Sequence, residues 1–460
     1  MLIALLLRPS WPSLVPPGRG PDLTHHLLLV DYLERSGHLV HDRSLDGAMG
    51  EMAHYTPASH LLAVMAGRWF GSDGLHTFFP LAALCAALTA AFVFLIGRRH
   101  GLSLPDALAA SILLLLPSPY FFGAFTHDGF LSQTVSTLFA AAMWWAVVVW
   151  DGEPSRRGAL LVSVFLVATF LSWPIWLGPP LLVFLILLWR ADLSPRLRWT
   201  QLAIVVGPLA AIGLHHALGR WGWMVIVRTS GAVLHPSLES IGWLLPLIAL
   251  IGFGLSVSDR RVRVTRAMLL VIVLQAVVLF AIAKAQGADT PYMALKMVYL
   301  AIYPLAIFAG VALARMGDGL RSRETLGWLA ASLLLVLGAR PVLAAPRAVP
   351  VVDDDMYAAG KWLRANVGSC ADYLVADAET AYWLHLAVLG NPRASSRMAE
   401  IDRYEPRAAM SPWITAQGRA YAIADLRLLP DEVRSHVDIA AQFGHAAVIK
   451  ARDGIMKGCD

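Results

Sequence analysis

LHTFFPLAALCAALTAAFVFLIG, residues 75–97, carries no acidic or strongly basic side chain and is closed by Arg98 and Arg99. About 20 apolar residues in helical form cover the ~30 Å of a bilayer's hydrocarbon, so this stretch reads as a membrane span. Comparable runs recur at 103–122, 131–150, 158–175, 199–219, 241–258, 267–285, 291–314 and 325–345. A shorter run at 177–189, set off by Pro174, Pro179 and Pro180, counts as a tenth because the charge pattern needs it. The expected fold is mostly α: a polytopic helical membrane bundle of about ten spans, residues 75–345, followed by an extracytoplasmic α/β domain, residues 346–460. Residues 1–74 read as an extracytoplasmic first loop with amphipathic helices.

Composition agrees with that reading. The 460 residues are 57% hydrophobic and 15% charged, which excludes an ordinary soluble protein. A net charge of +5 could point to nucleic acid, but most of the arginines sit in short connections between apolar runs, where topology explains them, and no nucleic-acid partner is expected. With the first run directed inward, one set of connections carries Arg98, Arg99, Arg156, Arg157, Arg190, Arg196, Arg198, Arg260, Arg261, Arg263, Arg266, Arg315, Arg321 and Arg323, while the opposite set carries only Arg220, Arg228, Lys284 and Lys296. The positive-inside rule then places both ends of the chain on the outer face of a bacterial plasma membrane. An outer start needs a signal or a preceding span, and MLIALLL is too short for either, so a first span ahead of this sequence is expected. The alternative is a short N-terminus carried across after the first run inserts.

In the last 110 residues, Asp353 to Asp355 suit the start of a helix that turns Met356, Trp362 and Leu363 inward. A strand at Tyr373 to Ala376, a helix through Tyr382 and Leu386, a helix from Pro430 and Asp431 to about Phe443, and a closing strand at Ala446 to Ile449 should follow. Cys85 falls inside an apolar run and is expected to pack as a small hydrophobe. Cys370 and Cys459 are the only cysteines of the expected outer domain; a disulfide between them is expected in an oxidising compartment, the alternative being two unpaired thiols.

Four polar clusters could carry chemistry. Asp22, His25 and His26 open an amphipathic stretch that ends at Gly37; Asp22 and His26 are four apart and share a helical face. A carboxylate beside imidazole can serve as a general base, hold a metal or simply cap a helix. The second cluster runs from Glu51 to His60, with Tyr55 just ahead of a helix begun by Pro57 and His60 on its first turn; a helix start with a cationic side chain suits phosphate, and interfacial Tyr and His also serve as plain anchors. The third is His127 and Asp128, leading through Ser132 and Gln133 into a span, where ionisable groups are costly without water or a partner. The fourth is Tyr292, Lys296, Tyr299 and Tyr303, with Lys296 one or two turns below the outer surface, either snorkelling or meeting a lipid phosphate. No phosphate-binding loop, dinucleotide fingerprint, HExxH or GxSxG is present, and the inner connections are too short for a cytosolic nucleotide-sugar site.

Asp22 with His25 and His26, and Tyr55-x-Pro57-x-x-His60 beside a family Tyr-Pro-Pro-x-x-His, resemble motifs of the multi-spanning C-type glycosyltransferases. The resemblance extends in layout to nearly the whole chain, except that the family's first span is missing and one first-loop acid stands where many relatives show a pair. It implies an enzyme that moves a sugar from a polyprenyl-phosphate donor to an acceptor on the outer face, with Asp22 as catalytic base. His25, His26, Tyr55, His60, His127, Asp128, Gln133, Arg228, Tyr292 and Lys296 would contact substrate, and Lys296, with His60 or Arg228, would stabilise the departing phosphate. No cofactor is required; a divalent ion at Asp22, His25 or Asp128 is compatible with the spacing but not demanded by it. A transporter or flippase of lipid-linked saccharides, or a non-catalytic membrane scaffold, are the competing classes; no inverted repeat supports the former.

Overall fold

A computed structural model of the chain describes residues 2–17, 21–40, 50–220, 233–317, 323–344, 350–367, 371–375 and 421–452. Arg228, Cys370, Cys459 and the helix expected through Tyr382 and Leu386 lie outside the described residues, and at Asp22 and Glu51 the description is of the backbone alone.

The chain divides into two compact units. The first comprises Met1–Pro9, Thr56–Ser59 and Pro80–Arg347. Six of the described helices are long and apolar enough to cross a membrane: Gly74–Arg99, Leu131–Gly152, Pro195–His216, Arg260–Ala285, Tyr292–Met316 and Glu324–Ala344. Leu104–Leu115, Pro174–Arg190 and Leu244–Leu255 are apolar but shorter. The expected span at 103–122 is therefore interrupted. Ser103 caps its start by accepting from the Asp106 amide, but α-helix gives way after Ile112 to a 3-10 turn, and a separate short helix begins at Ser118. Pro117 and Pro119 sit at the break: neither has an amide hydrogen to give the preceding turn, and Pro117 itself leaves the helical region with ψ 53°. The run at 241–258 shortens to Leu244–Leu255 because Gly242 adopts φ 73°. The run at 158–175 is a helix from Arg156 to Ser172, capped by Ser155 and ended ahead of Pro174.

Tyr292–Met316 is the core helix of this unit: 78% of its most apolar window is buried, against 11% for Pro195–His216. It contacts Leu244–Leu255 backbone to backbone. A Cβ placed on Gly252 would overlap the Phe308 carbonyl, so glycine is the residue that permits the approach. Some polar side chains inside the unit are matched across helices, as where Trp150 Nε1 donates to Gln201 Oε1 at 2.6 Å. The Arg-bearing connections are held by carboxylates: Arg263 pairs with Asp151 through two bonds of 2.6 and 2.7 Å, and Arg315 with Asp259 at 3.0 Å. Cys85 is buried and free, packed as expected.

The second unit comprises Ser10–Tyr55, His60–Phe79 and Ala348–Asp460. Its sheet has the order β1-β2-β4-β3, with β1 Ala371–Val375, β2 Tyr421–Asp425, β3 Val437–Phe443 and β4 Ala446–Ala451. β1 runs parallel to β2, and β4 antiparallel to β2 and β3. Ala422, Ala424, Ala447 and Ile449 bury one face against Leu429 and Val433. The helix expected from Asp431 to about Phe443 is corrected: only Asp431–Arg434 is helical, and the remainder is β3. Asp431 and Glu432 do begin a helix, but ladder pairing with β4 across a turn at Gly444, φ 51°, overrides the helical tendency of Ala440 and Ala441. Helix Asp354–Val367 starts where expected, with Asp353 accepting from the Met356 amide at 2.8 Å. Met356 and Leu363 are buried, whereas Trp362 is only half-buried.

Candidate functional site

In the helical unit the structure gathers the third and fourth clusters. Leu131–Gly152 and Tyr292–Met316 bring Gln133 and Lys296 into their first turns, and Asp128 lies in the connection just ahead of the former. Lys296 is 1% exposed, with Nζ 2.7 Å from the Phe130 ring centroid, 4.9 Å from that of Tyr292 and 5.6 Å from that of Tyr299. Three ring faces around one ammonium make a cation–π cage. Snorkelling into water is thereby corrected, because the ammonium is buried rather than wet. The Tyr299 hydroxyl donates to Asp128 Oδ2 at 3.1 Å, and His127 Nδ1 approaches Asp128 Oδ1 at 2.9 Å with its ring largely exposed. The group thus offers one buried cation, one carboxylate and several phenols at the starts of two apolar helices, an arrangement suited to an anionic group bonded to a polar one.

In the second unit the structure gathers the first two clusters. Helix Pro21–Ser36 carries Asp22 and His26 one turn apart, and ends at Gly37 with φ 70°, as the sequence indicates. Helix Ala58–Phe70 places His60 on its first turn. His26 Nδ1 and His60 Nε2 meet at 2.9 Å, with Tyr55 edge-on to both rings at 5.1 and 5.6 Å and Phe78 against His60. His26, Tyr55 and His60 are buried, and His25 is half-buried. Burial first, and the neighbouring His26 second, hold the His60 pKa well below the ordinary imidazole value. His60 is accordingly neutral, and the cationic character expected of it at the helix start is corrected.

Two further groups in this unit were missed by pattern reading. Asp73 accepts from the His76 amide at 3.0 Å, the Tyr357 hydroxyl at 3.0 Å and Lys361 Nζ at 3.3 Å, and its Oδ1 lies 2.7 Å from His76 Nδ1. Burial pushes the Asp73 carboxyl up, but the His76 and Tyr357 hydrogen bonds outweigh it and hold the pKa well below the usual carboxylate range. The partners are 284 and 288 residues away for Tyr357 and Lys361, a separation no local spacing reveals. The second group is Asp353, Asp355 and His445, whose ligand-type atoms lie within 4.8 Å of one another. Two carboxylates and an imidazole form a donor set that divalent cations accept. The same atoms are engaged with each other, His445 Nδ1 with Asp355 at 2.8 Å and Nε2 with Asp353 at 3.2 Å, so a cation binding there would have to displace an ion triad.

No protein-family model matches the chain, and no curated protein matches it in sequence. Its fold is similar to solved structures. ArnT from Cupriavidus metallidurans, solved bound to undecaprenyl phosphate, aligns over 99% of this chain and 98% of its own at 14% identity and a TM-score of 0.56. The arabinofuranosyltransferase AftD from Mycobacteria aligns over 98% of this chain at 16% identity and a TM-score of 0.59, this chain spanning 39% of AftD's length. The Archaeoglobus fulgidus oligosaccharyltransferase, solved with Zn and sulfate, aligns over 93% of this chain and 68% of its own at 14% identity and a TM-score of 0.50. All three are C-type membrane glycosyltransferases, and at these identities the likeness is one of fold.

Proposed function

We propose that the chain is an integral membrane glycosyltransferase that moves a sugar from a polyprenyl-phosphate donor to an acceptor hydroxyl on the outer face. The observation that carries this reading is a fold similar over 99% of the chain to an enzyme solved with undecaprenyl phosphate. The buried Lys296, caged at the start of an apolar helix beside Asp128 and Tyr299, supports it as a place where one lipid phosphate would find a cation. In this reading Asp22 takes the proton of the acceptor hydroxyl while that oxygen bonds to the sugar's anomeric carbon. The bond from that carbon to the phosphate oxygen breaks in the same inverting step, and Lys296 offsets the charge on the departing polyprenyl phosphate. Phe130 covers the Nζ of Lys296, so donor entry would require its ring to move aside. A divalent cation, where present, would supply further charge on the phosphate, and none of these steps is assigned to it. The outer location of the 1–74 and 346–460 segments rests on the arginine asymmetry.

Purified protein in nanodiscs, given radiolabelled polyprenyl-phosphate sugars and a mixed acceptor extract, should transfer label to an acceptor. Movement of intact donor across sealed vesicles without transfer would make the chain a carrier. Failure to bind or turn over any polyprenyl-phosphate sugar would remove the reading.

A further inference from the structure

Inside the helical unit, Gln133, Trp176, Tyr120, Tyr299 and Tyr303 line a pocket with room for one water-sized group. Most of its polar lining already has partners. The Tyr120 hydroxyl donates to the Leu234 carbonyl at 3.3 Å, Tyr299 to Asp128, and Thr137 to the Gln133 carbonyl at 2.9 Å. Two polar atoms on lining residues do not: among the described residues, Gln133 Oε1 and Trp176 Nε1, on residues 4% and 1% exposed, have no hydrogen-bond partner. Buried polar atoms are seldom left unmatched, because each forfeits the water it had when unfolded.

The chemistry of the two atoms specifies which single group in the pocket could satisfy both. Trp176 Nε1 can only donate and Gln133 Oε1 can only accept, so one group that satisfies both must accept from the indole and donate to the amide oxygen. A carboxylate or a phosphate dianion lacks the proton to give, and an ammonium lacks the lone pair to receive. A hydroxyl has both. Its surroundings narrow the source. Tyr299 belongs to the pocket and also to the cage around Lys296. Lys296, Tyr299 and Tyr303 stand three and then four residues apart on one face of their helix, a run of roughly 10 Å. That is about the reach of a phosphate and the single sugar ring bonded to it.

We propose that the pocket recognises one hydroxyl of the donor's sugar, Trp176 donating into its oxygen and the hydroxyl donating to Gln133, while the ring itself remains outside. This deepens the glycosyltransferase reading and rests on it.

Binding to the full chain in nanodiscs tests the proposal, with bare undecaprenyl phosphate and a panel of undecaprenyl-phosphate pentoses and hexoses as probes. At least one sugar should improve on the bare lipid phosphate. Gln133→Leu and Trp176→Phe should each erase about tenfold of that gain, the loss of one buried hydrogen bond, and leave the bare-lipid affinity unchanged. A donor lacking the recognised hydroxyl should be indifferent to both substitutions. Retention of the full gain by both variants, with only a lowered melting temperature, would make the pocket a seat for structural water and overturn the proposal; so would a panel in which no sugar improves on the bare lipid. In either case, bare lipid that binds and is weakened by Lys296→Met leaves the glycosyltransferase reading standing. If neither bare nor sugar-bearing lipid binds, both fall.

Discussion

His26 Nδ1 and His60 Nε2 are 2.9 Å apart and both rings are buried, so a single shared hydrogen joins two helices of the second unit. Because burial keeps His60 neutral when folded, whereas an unfolded imidazole takes a proton near its ordinary value of 6.5, acid favours the unfolded chain. The sign follows directly: with the folded pKa below the unfolded one, stability is complete above pH 6.5 and falls as pH drops beneath it. The slope can reach roughly 1.4 kcal/mol per pH unit for this one proton. Melting temperature measured from pH 8 to 5 should decline below 6.5, and His60→Gln should flatten that decline. An equal decline in the variant would assign the acid sensitivity to other groups.

Asp22→Asn should abolish glycosyl transfer while leaving membrane insertion intact; a cap-only role would instead show as stability lowered by about 1 kcal/mol with transfer kept. The asparagine keeps shape and hydrogen bonding but cannot hold the acceptor's proton. Turnover near that of the parent protein would exclude Asp22 as the base.

Lys296→Met should weaken binding of the lipid donor through loss of a charge-assisted contact worth roughly 1.5–3 kcal/mol, while leaving the fold as stable or more so, since it removes a buried charge. Donor titration read alongside thermal unfolding separates the two effects. Unchanged donor affinity would confine Lys296 to its aromatic cage.

How much of this could be seen in the chain alone depends on whether the interaction is local. The spans at 75–97, 131–150 and 291–314 were legible because apolar length is a one-dimensional signal, and the helix Ala58–Phe70 was legible from Pro57. Gln133, Tyr299 and Lys296 could be flagged as polar groups in apolar helices, but Trp176, which shares a pocket with Gln133 and Tyr299, reads in sequence as one more apolar residue. The 103–122 run concealed its break because hydropathy scores Pro117 and Pro119 by polarity rather than by their missing amide hydrogens. The strand Val437–Phe443 was misread as helix because its partner strand, Ala446–Ala451, supplies the pairing that local propensity cannot anticipate.

For Cys370 and Cys459, both outside the described residues, the proposed outer placement of the C-terminal segment would favour a disulfide. Non-reducing peptide mapping should recover the linked pair, and its removal should cost up to roughly 4 to 5 kcal/mol for a loop of about 90 residues in the chain-entropy model. Free-thiol labelling of both cysteines in unreduced protein would exclude the bond, and labelling from the cytoplasmic side alone would reverse the topology.

Asp73 gives a second acid-dependent contribution in a different window. The hydrogen bonds from His76 and Tyr357 hold its carboxyl well below the ordinary value of 3.8, so it is ionised in the folded chain at every pH where the protein is handled. A depressed carboxylate stabilises fully above its unfolded value and loses that contribution as pH falls through the folded one, so this part of the stability disappears only below about pH 4. Asp73→Asn should lower stability at pH 7, by about 1 to 3 kcal/mol for a charged acceptor with several donors, because the amide cannot serve the His76, Tyr357 and Lys361 hydrogens together. The deficit relative to the parent should shrink as the medium is taken from pH 5 to 3. Tyr357→Phe removes one of those donors and should reproduce a smaller part of the same pH-dependent difference. A deficit that stays constant across that range would show that Asp73 acts there through shape rather than charge.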